Sequence, residues 1–164
     1  MIINTSSLIL EIQVADEISL KDGNLLQLNI QQLQQTLSCI PTILGLQDDV
    51  SAVIRITGRE EAQSLNDQYR GKNYPTNVLS FPSDLPDFVE SEHIGDLVIC
   101  LDVVVEESKQ QNKNLLHHFV HLCVHGILHL LGYDHIENED AEEMESLEVK
   151  ILAQLGIDDP YLLQ

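Results

Sequence analysis

The spacing of apolar residues near the N-terminus predicts a strand followed by a helix. Residues 8–14 (LILEIQV) alternate apolar and polar side chains, which is typical of a half-buried strand. A turn is predicted at residues 21–24 (KDGN), because glycine and asparagine favour turns. Apolar residues then recur at steps of three and four from Leu26 to Ile40, which predicts one amphipathic helix with a glutamine-rich solvent face.

The middle of the chain predicts two strands with a helix between them. Residues 51–57 (SAVIRIT) are typical of a strand. Thr57 and Glu60 form a candidate capping box, which would begin a helix that runs to about Tyr69. Residues 76–81 (TNVLSF), which lie between two prolines, predict a short strand.

The remaining sequence predicts one more strand and then helices. A polar loop is expected at residues 83–92, and the nearly continuous apolar run at residues 94–101 (IGDLVICL) predicts a strand covered on both faces. Helices are predicted from Asp102, over residues 115–131 and from Asn138. This order predicts an α+β protein with a small mixed β-sheet, on which the helices pack.

Length and charge limit the number of domains and the kind of partner that the chain can have. A chain of 164 residues suits a single domain over residues 1–164. It carries 27 acidic residues against 8 basic ones, a net charge of −19. This balance argues against a generic nucleic-acid binder, which should be basic, but it leaves room for a locally cationic cleft. The acidic residues between Glu137 and Glu148 are interpreted as a solvated face of the last helix.

Cysteine usage and the N-terminus favour a cytoplasmic protein. The chain has three cysteines, an odd number, and none of them forms a C-x-x-C pair: Cys39, Cys100 and Cys123. Neither a disulfide framework nor a cysteine zinc site is therefore expected. The N-terminal residues lack the basic region of a signal peptide, and no apolar run reaches the length of a membrane span.

The segment with the clearest chemistry is HGILHLLGYDH at residues 125–135. His125 and His129 are four residues apart on a predicted helix, so both imidazoles lie on one face. Gly132 can take the left-handed conformation that ends a helix, after which His135 can approach the same point. Three nitrogen ligands with one open position are the arrangement of a catalytic zinc site. The alternative is that these histidines are satisfied by ordinary hydrogen bonds.

The histidines and the glycine coincide with the metzincin motif H-E-x-x-H-x-x-G-x-x-H. Gly126 occupies the place of the glutamate that serves as general base in such proteases, so the pattern predicts a metal site without a peptidase base. His121, one turn earlier, either supports the ligands or forms a hydrogen bond at the surface, and the surface interpretation is preferred. Asp134 either orients a ligand or stabilises the turn after Gly132.

Three blocks of sequence resemble the YbeY family of bacterial endoribonucleases. The segment at residues 125–135 is similar to the signature of that family, residues 65–82 (LNDQYRGKNYPTNVLSFP) to a second block and residues 94–99 (IGDLVI) to a third. The acidic helix with Met144 and Glu148 is similar to the C-terminal end of the family. The resemblance covers the chain from about residue 53 to residue 155.

This resemblance implies both a site and an activity. It implies an α+β fold, one zinc ion per chain on His125, His129 and His135, and single-strand-specific RNA cleavage. The implied roles are maturation of the 3′ end of 16S rRNA and quality control of 70S ribosomes. Many members have aspartate where this chain has Asn77, so Asn77 is assigned no catalytic role.

Arg70 is the candidate catalytic residue outside the histidine segment. It stands near Lys72 in the second block, and the corresponding arginine is regarded as functionally important in the family. A guanidinium group donates two parallel hydrogen bonds to a phosphate. The alternative is an ordinary surface arginine at a helix end. No general base is evident, and either water or the ribose 2′-hydroxyl could attack the phosphorus atom.

The strongly acidic charge affects how the protein could bind RNA. A protein of net charge −19 is repelled by RNA at long range, so docking on the small ribosomal subunit is expected, through a ribosomal protein or an assembly GTPase. Neither DNA nor a membrane is expected as a partner, and the oligomeric state is not predicted. The alternatives are a non-catalytic ribosome-assembly factor with structural zinc and, less favoured, a peptidase or another metal-dependent hydrolase.

Overall fold

The computed structural model describes residues 8–18, 23–46, 48–83, 92–133 and 138–161. Within these ranges the chain forms four strands and seven helices. In chain order they are β1 (Leu8–Val14), α1 (Gly23–Leu28), α2 (Ile30–Leu37), α3 (Ile40–Ile43), β2 (Val50–Thr57), α4 (Arg59–Arg70), β3 (Val78–Pro82), β4 (His93–Cys100), α5 (Leu101–Gln110), α6 (Leu115–Leu130) and α7 (Asn138–Gln154).

The four strands form one mixed sheet in the order β1-β2-β4-β3. β1, β2 and β4 are parallel, and β3 lies antiparallel to β4 at one edge. In β4 the last four residues, from Leu97 to Cys100, are all buried, which confirms that this strand is covered on both faces. The mixed sheet with its helices confirms the predicted α+β class.

Helix α6 is the central helix of the core. Eleven of its sixteen residues are buried, because the sheet lies on one side of it and helices α5 and α7 contact it elsewhere. At Gly126 the helix lies so close to β4 that a Cβ atom there would lie 2.6 Å from Cδ2 of Leu97. A glycine at this position therefore allows α6 to approach the sheet closely. None of the described helices is both long enough and apolar enough to span a bilayer.

The single helix predicted from Leu26 to Ile40 is wrong, because the structure has three short helices there. The first break is at Asn29, which adopts a left-handed conformation with φ 49° and caps α2 by accepting a hydrogen bond from the backbone N–H of Gln32. Asparagine tolerates this conformation better than most residues. In the predicted turn, Gly23 and Asn24 belong to α1, while residues 21–22 lie outside the described residues.

The predicted capping box at Thr57 is also wrong. Thr57 is the last residue of β2 and is fully buried, and Gly58 is the N-cap of α4. The carboxylate of Glu17 accepts a hydrogen bond from the backbone N–H of Gly58 at 2.7 Å. A side chain that is distant in sequence therefore caps the start of α4. The other predicted strands and helices are present with ends that shift by no more than two residues. The predicted loop at residues 83–92 lies mostly outside the described residues.

Candidate metal centre and adjoining cleft

His125 and His129 face each other one turn apart on α6. Their Nε2 atoms are 3.2 Å apart, and their rings are inclined at 79° with centroids 4.7 Å apart. Both side chains are half-buried and line a cleft. Two convergent imidazole nitrogens at this separation suit either a shared proton or a shared cation, and imidazole is a preferred ligand of zinc. The geometry of these two residues therefore fits the predicted site.

The turn that follows α6 closes in the way the sequence predicts. Gly132 has φ 101°, its N–H donates to the carbonyl of His129, and the N–H of Tyr133 donates to the carbonyl of Leu128. This pair of hydrogen bonds ends the helix. His135, the third predicted ligand, and Asp134 lie outside the described residues. Within the described ranges no three potential ligands come together, so the third ligand stays a prediction.

Glu148 on α7 is the buried partner of this site. It is fully buried and forms hydrogen bonds with Nδ1 of His125, with Nε2 of His121 at 3.3 Å, and with the hydroxyl of Tyr161, which donates to it. Burial alone would raise the pKa of this carboxyl, but the three hydrogen bonds lower the pKa to about 2. The carboxylate therefore holds the proton of His125 on Nδ1, which is the tautomer in which Nε2 can act as a metal ligand.

The sequence interpretation of the acidic helix missed Glu148. It assigned all these acids to a solvated face, whereas Glu148 lies on the buried face of α7 together with Met144, Ile151 and Leu152. The available signal was spacing, because Glu148 stands four residues after Met144 and three before Ile151, at a position where the helix otherwise carries apolar residues.

The preferred surface interpretation of His121 is wrong as well. Its side chain is only 14% exposed, and Glu148 links it to His125. The ring of Tyr161 meets the His121 ring edge-on, with centroids 5.6 Å apart. Burial and the contact with Glu148 raise the pKa of Tyr161, so its hydroxyl stays a donor. His121 and Tyr161 therefore complete the hydrogen bonds of the buried carboxylate.

The cleft beside the two histidines has a volume of about 580 Å³. The end of α4, the segment at residues 76–81 and α6 form its walls, which place Arg70 in the same cleft as His125 and His129. The described residues that line it include no carboxylate. In a chain of net charge −19, this is a locally uncharged to cationic surface.

The position of Arg70 is set by the end of α4. Gly71 ends the helix with φ 68°, and buried Asn66 donates to the carbonyl of Tyr74 at 2.8 Å, which ties the next loop to the helix. Arg70 is exposed and has no ion-pair partner in the part of the chain that the structure describes. Its guanidinium group is thus available to a ligand in the cleft.

Asn77 also lines this cleft, and hydrogen bonds hold both ends of its side chain. Its Oδ1 accepts from the backbone N–H of Val78 at 2.7 Å, and its Nδ2 donates to Glu107 at 3.2 Å. Burial raises the pKa of Glu107, although the hydrogen bond from Asn77 opposes that shift. The side chain is therefore fixed in orientation by the backbone at the start of β3 and by a carboxyl group of α5.

The chain has an α+β fold with a histidine pair in a cleft whose described lining residues include no carboxylate, and sequence comparison gives its family. A family model described as "Endoribonuclease YbeY" matches residues 17–156. A protein of this name from Alteromonas mediterranea is 55% identical over 117 residues, which cover 71% of this chain and 73% of that protein. One from Colwellia psychrerythraea is 53% identical over 116 residues, which cover 71% and 75%. The chain belongs to the YbeY family.

A solved structure supports the fold. The solution structure of a protein from Thermotoga maritima matches with a TM-score of 0.50 and 24% sequence identity, and the match covers 93% of this chain and 100% of that one. At this identity the likeness speaks for the fold alone.

Proposed function

We propose that this protein is a metal-dependent endoribonuclease that cleaves single-stranded RNA. The observation that carries the proposal is the cleft that joins Arg70 to His125 and His129, with no carboxylate among its described lining residues in a chain of net charge −19. Such a cleft can accept a phosphodiester that the rest of the surface would repel. The name of the matching relatives, Endoribonuclease YbeY, supports the same activity.

The proposed metal is one zinc ion per chain on His125, His129 and His135. Such an ion would supply Lewis-acid stabilisation to a phosphoryl oxygen or lower the pKa of a water molecule. The protein contributes the orientation of the ligands, since Glu148 fixes the Nδ1 proton of His125. The orientation of this imidazole is therefore fixed before any ligand arrives.

Arg70 has the second role in the proposed reaction. Its guanidinium group would donate to the non-bridging oxygens of the scissile phosphate and stabilise the charge that builds there in the transition state. The attacking oxygen comes from water or from the ribose 2′-hydroxyl. The products distinguish the two, because attack by the 2′-hydroxyl leaves a 2′,3′-cyclic phosphate and attack by water does not.

The peptidase alternative meets a structural obstacle at Gly126. This residue is buried against Leu97 of β4 and does not line the cleft. A glutamate at this position would lie in the core, where an unpaired carboxylate is strongly unfavourable, and it could not serve as a base in the cleft. The geometry thus argues against a peptidase that uses a glutamate at position 126 as its base.

The proposed cellular role is maturation of the 3′ end of 16S rRNA and quality control of 70S ribosomes in the cytoplasm. The net charge of −19 opposes capture of free RNA. We therefore propose docking on the small ribosomal subunit through a ribosomal protein or an assembly GTPase. Cleavage of naked RNA should be slow and should rise when the subunit is supplied.

The testing experiment measures zinc content and cleavage together. The wild-type protein is compared with His129→Ala and with His117→Ala, which changes an exposed histidine of the same helix that lies outside the cleft. We expect about one zinc per chain in the wild type and in His117→Ala. In His129→Ala we expect loss of the zinc and a decrease in RNA cleavage of at least about 100-fold.

Two outcomes would decide against the proposal. Equal cleavage by His129→Ala and the wild type would exclude the histidine pair from the reaction. Zinc binding with no cleavage of any RNA, combined with normal rRNA maturation in cells that carry Arg70→Ala, would favour the non-catalytic assembly factor instead.

A further inference from the structure

Tyr69 is a largely exposed aromatic residue in the wall of the candidate active-site cleft. It directly precedes Arg70 at the end of α4 and lines the same cleft as His125 and His129. The residue is 60% exposed. A ring so exposed adds little to the core, so its place beside the cleft calls for another explanation.

The ring of Tyr69 is held in position although it is exposed. Phe81 of β3, which also lines the cleft, meets it edge-on with ring centroids 5.2 Å apart and an interplanar angle of 71°. The end of α4 is itself fixed, because Asn66 donates to the carbonyl of Tyr74 and Gly71 closes the helix. A rigid aromatic surface loses little conformational entropy when a planar ligand stacks on it.

The charge of the protein favours a short-range contact that does not depend on charge. Long-range attraction of RNA is absent at a net charge of −19, and Arg70 is the one cation among the described residues that line the cleft. Stacking of a base on an aromatic ring requires no charge and is tolerant of sequence. It does require that the base is unpaired, because a base inside a duplex is already stacked on its neighbours.

We propose that Tyr69 is a stacking site for a nucleobase, namely the unpaired base next to the phosphate that Arg70 contacts. Adjacent residues at the end of α4 would then recognise adjacent parts of one nucleotide. The inference rests on the proposed endoribonuclease function and adds to it the physical source of the preference for single strands.

Tryptophan fluorescence offers a direct test, because the chain contains no tryptophan. Tyr69→Trp places a single indole at the proposed stacking site. Tyr74→Trp is the matched control, since Tyr74 is 52% exposed near the same helix end but does not line the cleft. The probes are a single-stranded 2′-O-methyl RNA, an abasic strand of equal length and charge, and the duplex form of the first.

Stacking predicts that the single strand quenches Tyr69→Trp and that the abasic strand and the duplex leave its fluorescence nearly unchanged. Tyr74→Trp should respond weakly to all three probes. In binding assays Tyr69→Ala should weaken binding of the single-stranded probe by about 5-fold to 150-fold, the range that corresponds to loss of one stacked base. Tyr69→Phe should act as the wild type, because stacking uses the ring and not the hydroxyl.

The failure of this inference is distinguishable from the failure of the proposed function. If wild-type protein cleaves single-stranded RNA while Tyr69→Trp gives no quenching and Tyr69→Ala binds normally, the stacking site is overturned and the endoribonuclease stands. Equal quenching by the abasic strand would also overturn it, because that result reports phosphate binding alone. Base-dependent quenching without cleavage would support the stacking site and overturn the nuclease.

Discussion

Histidines near the two ends of helix α6 have opposite surroundings. Four histidines follow one another at steps of four, at positions 117, 121, 125 and 129. In the C-terminal half, His125 and His129 face an open cleft, and ionised Glu148 supports His125 from behind. In the N-terminal half, His117 is exposed, and its neighbour His118 is 5% exposed with no hydrogen-bond partner for either ring nitrogen among the described residues.

The difference lies in the carboxylates that other helices supply. Oε1 of Glu107 on α5 is 3.8 Å from Nε2 of His118, too far for a hydrogen bond. Burial, with smaller effects from Lys113 and His121, lowers the pKa of His118 to about 4, so this imidazole is neutral at neutral pH. Spacing on a helix brings histidines together, but the partner from another element decides what each of them can do.

The largest expected effect is that of removing the carboxylate from the C-terminal half. Glu148→Ala removes a fully buried carboxylate and leaves three hydrogen-bond donors without their acceptor, so we expect the free energy of unfolding to decrease by about 3–5 kcal/mol. Zinc affinity should fall about 10- to 100-fold, because His125 loses its orientation. Urea denaturation and zinc titration measure the two effects. Glu143→Ala, an exposed acid on the same helix, is the control, and equal behaviour of the two variants would remove the contrast drawn above.

The histidine pair of the cleft could be predicted from the sequence, whereas the contacts of the carboxylate that supports it could not. Local spacing sufficed for the pair of His125 and His129 and for Gly132, because a helix and its end depend on nearby residues. For Glu148 the spacing indicated only that it lies on the apolar face of α7, whereas the residues that it contacts depend on how α7 docks against α6. The cap that Glu17 supplies to α4 was missed for the same reason, because it is 41 residues from Gly58.

Arg70→Ala should separate chemistry from structure at the C-terminal half of α6. We expect RNA cleavage to decrease about 100-fold, because an arginine that stabilises phosphoryl charge contributes on this scale. Zinc content and the free energy of unfolding should stay unchanged, since Arg70 is exposed and contacts neither His125 nor Glu148. Arg59→Ala, which removes an exposed ion pair with Glu106 at the other end of α4, is the control for a change of charge.

A change in zinc content in Arg70→Ala would contradict the division of roles between α4 and α6. Normal cleavage by this variant would return Arg70 to the ordinary surface interpretation.

Buried His118 in the N-terminal half of α6 should make the free energy of unfolding depend on pH. The pKa of His118 is lowered from 6.5 to about 4 in the folded protein, so the unfolded state binds more protons between these values. Above about pH 6.5 His118 is neutral in both states and does not lower the free energy of unfolding. As the pH falls from 6.5 toward 4 the free energy of unfolding decreases, because His118 gains a proton in the unfolded state and stays neutral in the folded state. Between about pH 7 and about pH 5 this loss amounts to about 2 kcal/mol.

His118→Leu should flatten this dependence, and His117→Leu, which changes the exposed neighbour, should not. The measurement is urea denaturation of the three proteins at several pH values, in which the shared carboxylates cancel from the differences. Burial raises the pKa of nearby Glu107, so protonation of Glu107 opposes the effect in part. Parallel curves for His118→Leu and the wild type would show that the buried imidazole titrates normally.

The smallest expected effect concerns the closest approach of α6 to the sheet. A methyl group at Gly126 would lie 2.6 Å from Cδ2 and 2.9 Å from Cδ1 of Leu97, whereas the same face one turn earlier carries the full side chain of Leu122. Overpacking costs about 1–3 kcal/mol, whereas replacing glycine by alanine within a helix contributes about 1 kcal/mol of stability. The free energy of unfolding of Gly126→Ala should therefore be about 1 kcal/mol lower than that of the wild type. In a Leu97→Ala background the clash is absent, and the same substitution should stabilise the protein. Urea denaturation of the four proteins gives this coupling. An equal loss in both backgrounds would mean that glycine is needed at position 126 for a reason other than the contact with β4.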